Sequence, residues 1–317
     1  MAEPLIVLTG AAGRLGATVH RTLLEAGKNV RATDRFSPTS YAHPLIRANL
    51  FNPRAVRRIL QDAKVLVHLA YRCEPLGYPN GRTPRDFDDQ IRMNRLLFQA
   101  ACEAGVKKII FSSTIQVMAR QLPLQGPTPP PRYLPMDENS STEPDNWYSL
   151  AKLCSEEMLA TLRRQYGIDY VILRLPALFH TLPPPPSELY QHRLSEGFSY
   201  LSYRDAADLI LKVIEAGRPG PQTYFPASYK NLLGRPVPEI IRDYYPGVPL
   251  RKPAAEIESL IDISTLKRDL GWEPRELSQP EEEPYQPLVW RFYQSIANRV
   301  PPQIKPFVER VLSVFES

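Results

Sequence analysis

Apolar residues occur in short, nearly unbroken runs. Leu5–Leu8, Val65–Ala70, Val106–Phe111 and Ile168–Leu173 are the strongest, with weaker ones at Val30–Asp34 and Ile46–Leu50. Runs that do not alternate with polar residues predict strands covered on both faces, as in a parallel sheet. Between them the period changes to that of a helix. Ala17–Ala26 carries Val19, Leu23 and Leu24 on one face and stops at Gly27; Ala55–Leu60 follows the helix opening Asn52-Pro53. Asp88–Ala104 is expected to turn Ile91, Leu96, Leu97 and Ala101 inward and to end at Gly105, and a further helix starts near Asn146. Strict alternation of strand and helix predicts an α/β fold with a doubly wound parallel sheet and right-handed crossovers.

Beyond Pro176 the pattern loosens. A helix is expected over Asp205–Ala216, a strand over Thr223–Phe225, and short helices over Pro238–Tyr244 and Ser264–Leu270. Pro183–Pro186 is a stiff, linker-like run. The expected division is a main domain over 1–176, a small C-terminal lobe over 177–280 that is open to interleaving with it, and a tail over 281–317. In the tail Phe307, Val308, Val311, Leu312 and Phe315 recur at helical spacing. Such a stripe docks on the body, on a second subunit or on a membrane surface.

The first apolar run leads directly into Thr9-Gly10-Ala11-Ala12-Gly13-Arg14-Leu15-Gly16. Strand, glycine turn and helix together aim backbone N–H groups at one point, which suits a pyrophosphate. Asp34 ends the next strand 18 positions after Gly16, near the roughly 20-residue offset of a ribose-binding acid. A carboxylate there accepts both ribose hydroxyls and repels a 2′-phosphate, favouring NAD over NADP. Arg14 and Arg35 leave NADP open. The plain alternative is a tight turn followed by a surface Asp. Asn49 is a candidate for the adenine edge, with a turn-forming role as its alternative.

Composition sets bounds without pointing to a partner. The chain has 317 residues, 43% hydrophobic and 23% charged, enough for one large or two modest domains. No apolar run approaches the ~20 residues that span a bilayer. Met1-Ala2-Glu3-Pro4 shows no basic segment followed by an apolar signal core, so a cytoplasmic location is expected. Cys73, Cys102 and Cys154 are spread apart and read as free thiols, with no metal-ligand spacing. A net charge of +5 suits an anionic small molecule and makes no case for nucleic acid.

The remaining chemistry gathers after the fifth strand. Ser112-Ser113-Thr114 puts three hydroxyls at a strand's carboxyl end, where open parallel sheets bind ligands; a hydroxyl-rich turn is the alternative. Tyr148 and Lys152 are four apart and share one helical face. A cation beside a phenol favours the phenolate, which can take a proton from an alcohol as hydride departs. The alternative is a surface pair on an amphipathic helix. Asn94, in mid-helix, is either a structural polar bridge or a site residue. His68, inside an apolar strand, reads as a hydrogen-bonded core residue.

T-G-A-A-G-R-L-G at 9–16, Asp34, V-H-L-A at 67–70, Asn94, F-S-S-T at 111–114, Y-S-L-A-K at 148–152 and L-R-L-P at 173–176 occur in one order. Y-R-D-A-A-D at 203–208 and D-L-G-W-E-P at 269–274 follow. Over residues 5 to 275 this sequence resembles the extended short-chain dehydrogenase/reductases, the NAD-dependent epimerase/dehydratase group. The resemblance implies a Rossmann-like fold with a small substrate-binding lobe, and Thr114, Tyr148 and Lys152 as catalytic residues with Asn94 in support. It implies a cofactor site built on Gly10, Gly13, Gly16 and Asp34; Arg14, Leu15, Asn49, Leu50, Leu69, Ala70, Tyr148, Lys152 and Leu175 are the further candidate cofactor-binding residues. The helices near 88–104 and 147–165 correspond to a pair that often builds a homodimer.

Departures narrow the expectation. Ile115 and Gln116 stand where the sugar 4,6-dehydratases carry Asp-Glu, which argues against dehydration. Ala177 takes the place of an Asn found in nucleotide-sugar members, and Met118 that of a tyrosine. Only 28 positions separate Leu175 from Tyr203, short for a nucleotide-binding lobe. The proline-rich stretch Gln121–Pro135 is the expected cap of the site. The expected activity is NAD-dependent oxidation or epimerisation of a sugar or sugar-acid hydroxyl or carbonyl, with a lean to dehydrogenation. The alternatives are a nucleotide-sugar 4-epimerase and a non-enzymatic NAD-binding sensor or scaffold.

Overall fold

A computed structural model describes residues 3–36, 43–71, 83–118, 129–180, 193–217 and 220–275. Cys73, Pro183–Pro186, most of Gln121–Pro135 and the 281–317 tail lie outside these residues.

Seven parallel strands form the main sheet: β1 (Ile6–Thr9), β2 (Val30–Asp34), β3 (Ile46–Arg47), β4 (Val65–His68), β5 (Lys108–Thr114), β6 (Asp169–Leu175) and β9 (Gln222–Tyr224). Their order is β3-β2-β1-β4-β5-β6-β9. The chain winds outward from β1 in one direction, then returns to β4 and winds in the other. The crevice above the carboxyl ends of β1 and β4 is therefore the topological switch point, where sheets of this kind take ligands.

The helices cover both faces. On one, α2 (Pro53–Leu60), α3 (Pro84–Glu103) and α4 (Trp147–Tyr166) enclose a core that includes Val7, Leu66, Ile109, Phe111 and Ile172. On the other, α1 (Arg14–Glu25) and α5 (Tyr203–Glu215) pack over Leu8, Val67, Ile110 and Leu173. Alternate residues of one strand thus feed two separate cores. Each fully buried Ile, Leu or Phe contributes about 1.5–3 kcal/mol, which fixes the strand register.

Several boundaries differ from the sequence expectation for local reasons. Helix α3 starts at Pro84, not Asp88, because Thr83 and Asp86 form a reciprocal capping box. Its buried face carries Gln90, Met93, Asn94, Leu97, Phe98 and Ala101, whereas Ile91 and Leu96 are only partly buried. Leu97 and Ala101 face inward as expected, while the amides of Gln90 and Asn94 take the core positions expected of Ile91 and Leu96. Helix α1 begins at Arg14, directly from the glycine turn, and β3 is only two residues long. Strand β5 runs through Thr114, so the three hydroxyls belong to the strand and not to a turn.

The second half contributes to the main sheet through β9. It also forms a two-stranded parallel sheet, unforeseen from sequence, from β7 (Ala177–Phe179) and β8 (Tyr200–Ser202). Helices α6 (Val237–Tyr244) and α7 (Ser264–Leu270) complete this part. The segment before α4 is bridged to it, Leu134 opposite Leu250 and Met136 opposite Ile261. Among the described residues no helix is long and apolar enough to cross a membrane.

Candidate functional site

The turn after β1 can hold little but glycine. Gly10 has φ +74°, and a Cβ there would lie 2.6 Å from the backbone N of Ala70. A Cβ on Gly16 would lie 1.9 Å from the Gly10 carbonyl oxygen. The turn therefore closes on itself and against the end of β4. Gly13 occupies the N-cap of α1 and supplies no side-chain cap, and the first turn holds no acidic residue. A 12-residue helix begun this way aims the N–H groups of its first turn and the positive end of its dipole at the switch point. These features fit a dinucleotide pyrophosphate.

Asp34 leans into the same turn. Its carboxylate accepts from the Ala12 N–H at 3.0 Å and from the N–H groups of Arg35 and Phe36 at 2.6 and 3.3 Å. Burial pushes this carboxyl above the usual range, and the three backbone bonds and Arg35 oppose the rise. Arg14 is exposed, Leu15, Leu69 and Ala70 are half-buried around the turn, and Leu50 is buried in the α2–α3 core. Exposed Asn49 uses its side-chain oxygen to accept from Phe51 N–H at 3.0 Å, so it shapes the turn after β3.

Beside the turn, β5 and α4 bring the hydroxyls and the Tyr–Lys pair together. Helix α4 is capped by Asn146, whose side chain accepts from Ser149 N–H at 2.9 Å. That sets Tyr148 in the first turn, half-buried, and Lys152 one turn deeper with 3% exposure. The Lys152 ammonium donates to the Ser112 carbonyl at 2.5 Å and lies 5.8 Å from the Tyr148 ring centre. Tyr71, just past β4, meets Tyr148 edge-on at 5.0 Å. Buried Thr114 accepts from Gln116 N–H at 3.3 Å, so its own O–H retains donor capacity. Leu175 pairs with Thr114 in register and is buried.

Asn94 does not reach an open surface. Its Oδ1 accepts from Gln90 at 2.8 Å and meets His68 Nε2 at 2.9 Å, and its Nδ2 donates to Ser155 at 2.7 Å. The other nitrogen of His68 meets Thr9 Oγ1 at 2.7 Å, and Ser155 donates to the Ala151 carbonyl at 2.7 Å. This chain runs from the tip of β1 to the backbone between Tyr148 and Lys152. Burial lowers the His68 pKa to about 3, so its ring is neutral at physiological pH.

Two further residues, Glu156 and Arg174, have no role in the sequence expectation. Glu156, one turn beyond Lys152, accepts from Ser113 Oγ and pairs with Arg174 at 2.9 Å. Glu156 was findable as the next member of the 148, 152 stripe, and Arg174 as a cation in a buried strand, which requires a partner. A cavity of about 250 Å³ lies near the end of β5, lined in part by Met118, Tyr133, Met136, Ser140, Ser195 and the Arg132–Glu143 pair.

A family model described as the NAD dependent epimerase/dehydratase family matches residues 6–195. A UDP-glucose 4-epimerase of Azospirillum brasilense is 28% identical over 179 residues, 55% of this chain and 49% of that protein. A uronate dehydrogenase of Pseudomonas syringae pv. tomato is 26% identical over 181 residues, 55% of this chain and 59% of that one. These alignments thus span about half the length of the relatives. A short-chain dehydrogenase/reductase superfamily structure from Agrobacterium tumefaciens with bound NAD superposes with a TM-score of 0.62 at 20% identity. That superposition covers 86% of this chain and 93% of that one, and it speaks to the fold alone. The family model spans more than half of the 317 residues, and the chain belongs to the NAD dependent epimerase/dehydratase family.

Proposed function

We propose that this chain is an NAD-dependent oxidoreductase acting on a hydroxyl or carbonyl of a sugar or sugar acid. One observation carries the reading. The Tyr148–Lys152 stripe lies against the Ser112–Thr114 end of β5, at the same sheet edge as the glycine turn. Gly10, Gly13, Gly16 and the start of α1 would hold the pyrophosphate, and Asp34 the adenosine ribose. Arg14, Leu15, Asn49, Leu50, Leu69, Ala70 and Leu175 would complete the cofactor's surroundings. Bound NAD supplies the hydride acceptor.

The chain's own residues handle the proton. Thr114 Oγ1 orients the substrate oxygen, and Tyr148 takes the proton from the hydroxyl during oxidation or returns it during reduction. Lys152, fixed on the Ser112 carbonyl, holds its positive charge 5.8 Å from the centre of the phenol ring. Asn94 acts through Ser155 and His68 as a positioning residue for α4.

Dehydrogenation is the favoured outcome. The short Leu175–Tyr203 connection favours this reading. The alignment with a UDP-glucose 4-epimerase supports nucleotide-sugar epimerisation as the second reading. The packed α3–α4 pair is the proposed homodimer face. The free thiols of Cys102 and Cys154 support a reducing location, the cytoplasm.

Purified protein incubated with NAD and a panel of uronic and aldonic acids tests this. Stoichiometric NADH formation with exchangeable cofactor supports a dehydrogenase. Tightly retained nucleotide with interconversion of UDP-sugars supports the epimerase, and tight NAD binding with no turnover on either panel overturns both.

A further inference from the structure

The row of β6 side chains facing α4 reads Tyr170, Ile172, Arg174. The first two are core residues; the third is a guanidinium with 8% exposure. It lies in register opposite Ser113, one residue short of Thr114. Its contacts radiate to three segments. Nε and Nη2 donate to the two Glu156 carboxylate oxygens at 3.3 and 2.9 Å, on α4. Nη1 donates at 3.3 Å both to Met118 Sδ, just after β5, and to the Glu138 carbonyl, in the segment before α4.

Each contact leads into the candidate site. Glu156 continues the Tyr148, Lys152 stripe by one turn and is also held by Ser113 Oγ. Met118 lines the cavity, and Glu138 lies two residues before Ser140, which also lines it. The Glu138 carboxylate in turn accepts from Thr265 on α7 at 2.5 Å. Buried ion pairs are replaceable by apolar residues without loss of stability in many proteins. An apolar pair cannot bond several segments in fixed directions, whereas the planar five-donor fork of arginine can.

We infer that Arg174 is a positioning residue that locks the Tyr148–Lys152 helix to the cavity wall at Met118 and Glu138. The inference rests on the proposed activity for its kinetic consequence and on geometry alone for its structural one. Arg174 touches no reacting atom; it sets where the cavity wall stands relative to the phenol. Substrate placement depends on that spacing; the pyrophosphate cradle after β1 is separated from Arg174 on β6 by β4 and β5, and none of Arg174's contacts touches it.

The test compares wild type with R174K in the full chain. Lysine keeps a cation beside Glu156 but has a single nitrogen, so it cannot serve Met118 and Glu138 as well. Hydrogen–deuterium exchange read by mass spectrometry should rise about tenfold in 137–143 and remain unchanged in Val65–His68. The Kd for NADH, from its fluorescence, should stay within twofold. With the best-oxidised acid of the uronic and aldonic panel, KM should rise at least fivefold with kcat within threefold. Unchanged exchange in 137–143 overturns the inference. So does a rise shared with Val65–His68 and a weakened NADH affinity, which marks general damage. If wild type oxidises no acid on the panel, the activity reading fails while the exchange comparison still decides the role of Arg174.

Discussion

The ammonium of Lys152 lies 2.5 Å from the carbonyl oxygen of Ser112, two residues before Thr114. A side chain from α4 is thereby fixed to the backbone of the strand that carries the candidate substrate-orienting hydroxyl. Replacing Lys152 by Met should lower turnover at least ~100-fold, the lower end of the range for proton-transfer groups. Stability should change by less than ~2 kcal/mol, since losing the bond to Ser112 is offset by removing a buried charge. Steady-state rates and urea midpoints of the two proteins check both parts.

The glycine turn makes a graded prediction. A methyl on Gly16 meets the Gly10 carbonyl at 1.9 Å, and one on Gly10 meets Ala70 N at 2.6 Å from a left-handed backbone. On Gly13 the nearest atom is 3.2 Å away. Gly16→Ala and Gly10→Ala should each cost ~1–3 kcal/mol or more and abolish NADH binding. Gly13→Ala should retain measurable binding. Fluorescence titration with NADH, alongside thermal melts, ranks them.

Asp34 carries a cost in the apo fold, because burial outweighs its backbone bonds and raises its pKa. Asp34→Asn should therefore leave apo stability within ~1 kcal/mol of wild type or increase it. The same change should weaken NAD at least tenfold. Calorimetric titration with NAD and urea unfolding of the apo protein separate the two effects.

His68 and His20 should shape the acid limb of stability. Burial lowers their pKa values to about 3 and about 4, from 6.5. The unfolded chain binds protons at these sites below pH 6.5 while the folded chain does not, so stability is full above that pH. It then falls as the pH drops toward 4 and 3. For His68 the ceiling is roughly 4–5 kcal/mol. Urea midpoints between pH 7 and 4 should fall for wild type and fall less steeply for His68→Asn.

Much of this was legible in the sequence, since the strongest signals come from requirements a single segment imposes on itself. The run Leu5–Leu8 had to be a buried strand, which in the fold starts after Leu5 and extends to Thr9, and the Gly10–Gly16 spacing had to be a tight turn. Tyr148 and Lys152 had to share a helical face. Partnerships across the fold were harder to see. Leu97 and Ala101 mark the buried face of α3 in the sequence, but Gln90 and Asn94 do not, because they satisfy one another, His68 and Ser155 only once α3, α4 and β4 are assembled. Glu156 and Arg174 lie 18 residues apart on different elements, and neither signals the other locally. The β7–β8 pair is too short for its periodicity to show; three residues each carry almost no pattern.

The central claim is that the Tyr148 phenol moves the substrate's proton beside a dinucleotide seated on the glycine turn. Its most direct test is the rate of NADH formation by Tyr148→Phe, with the best acid of the panel, next to its Kd for NAD. The account predicts a fall of about 10²–10⁴-fold in rate with NAD affinity within twofold of wild type. Turnover equal to wild type would contradict it.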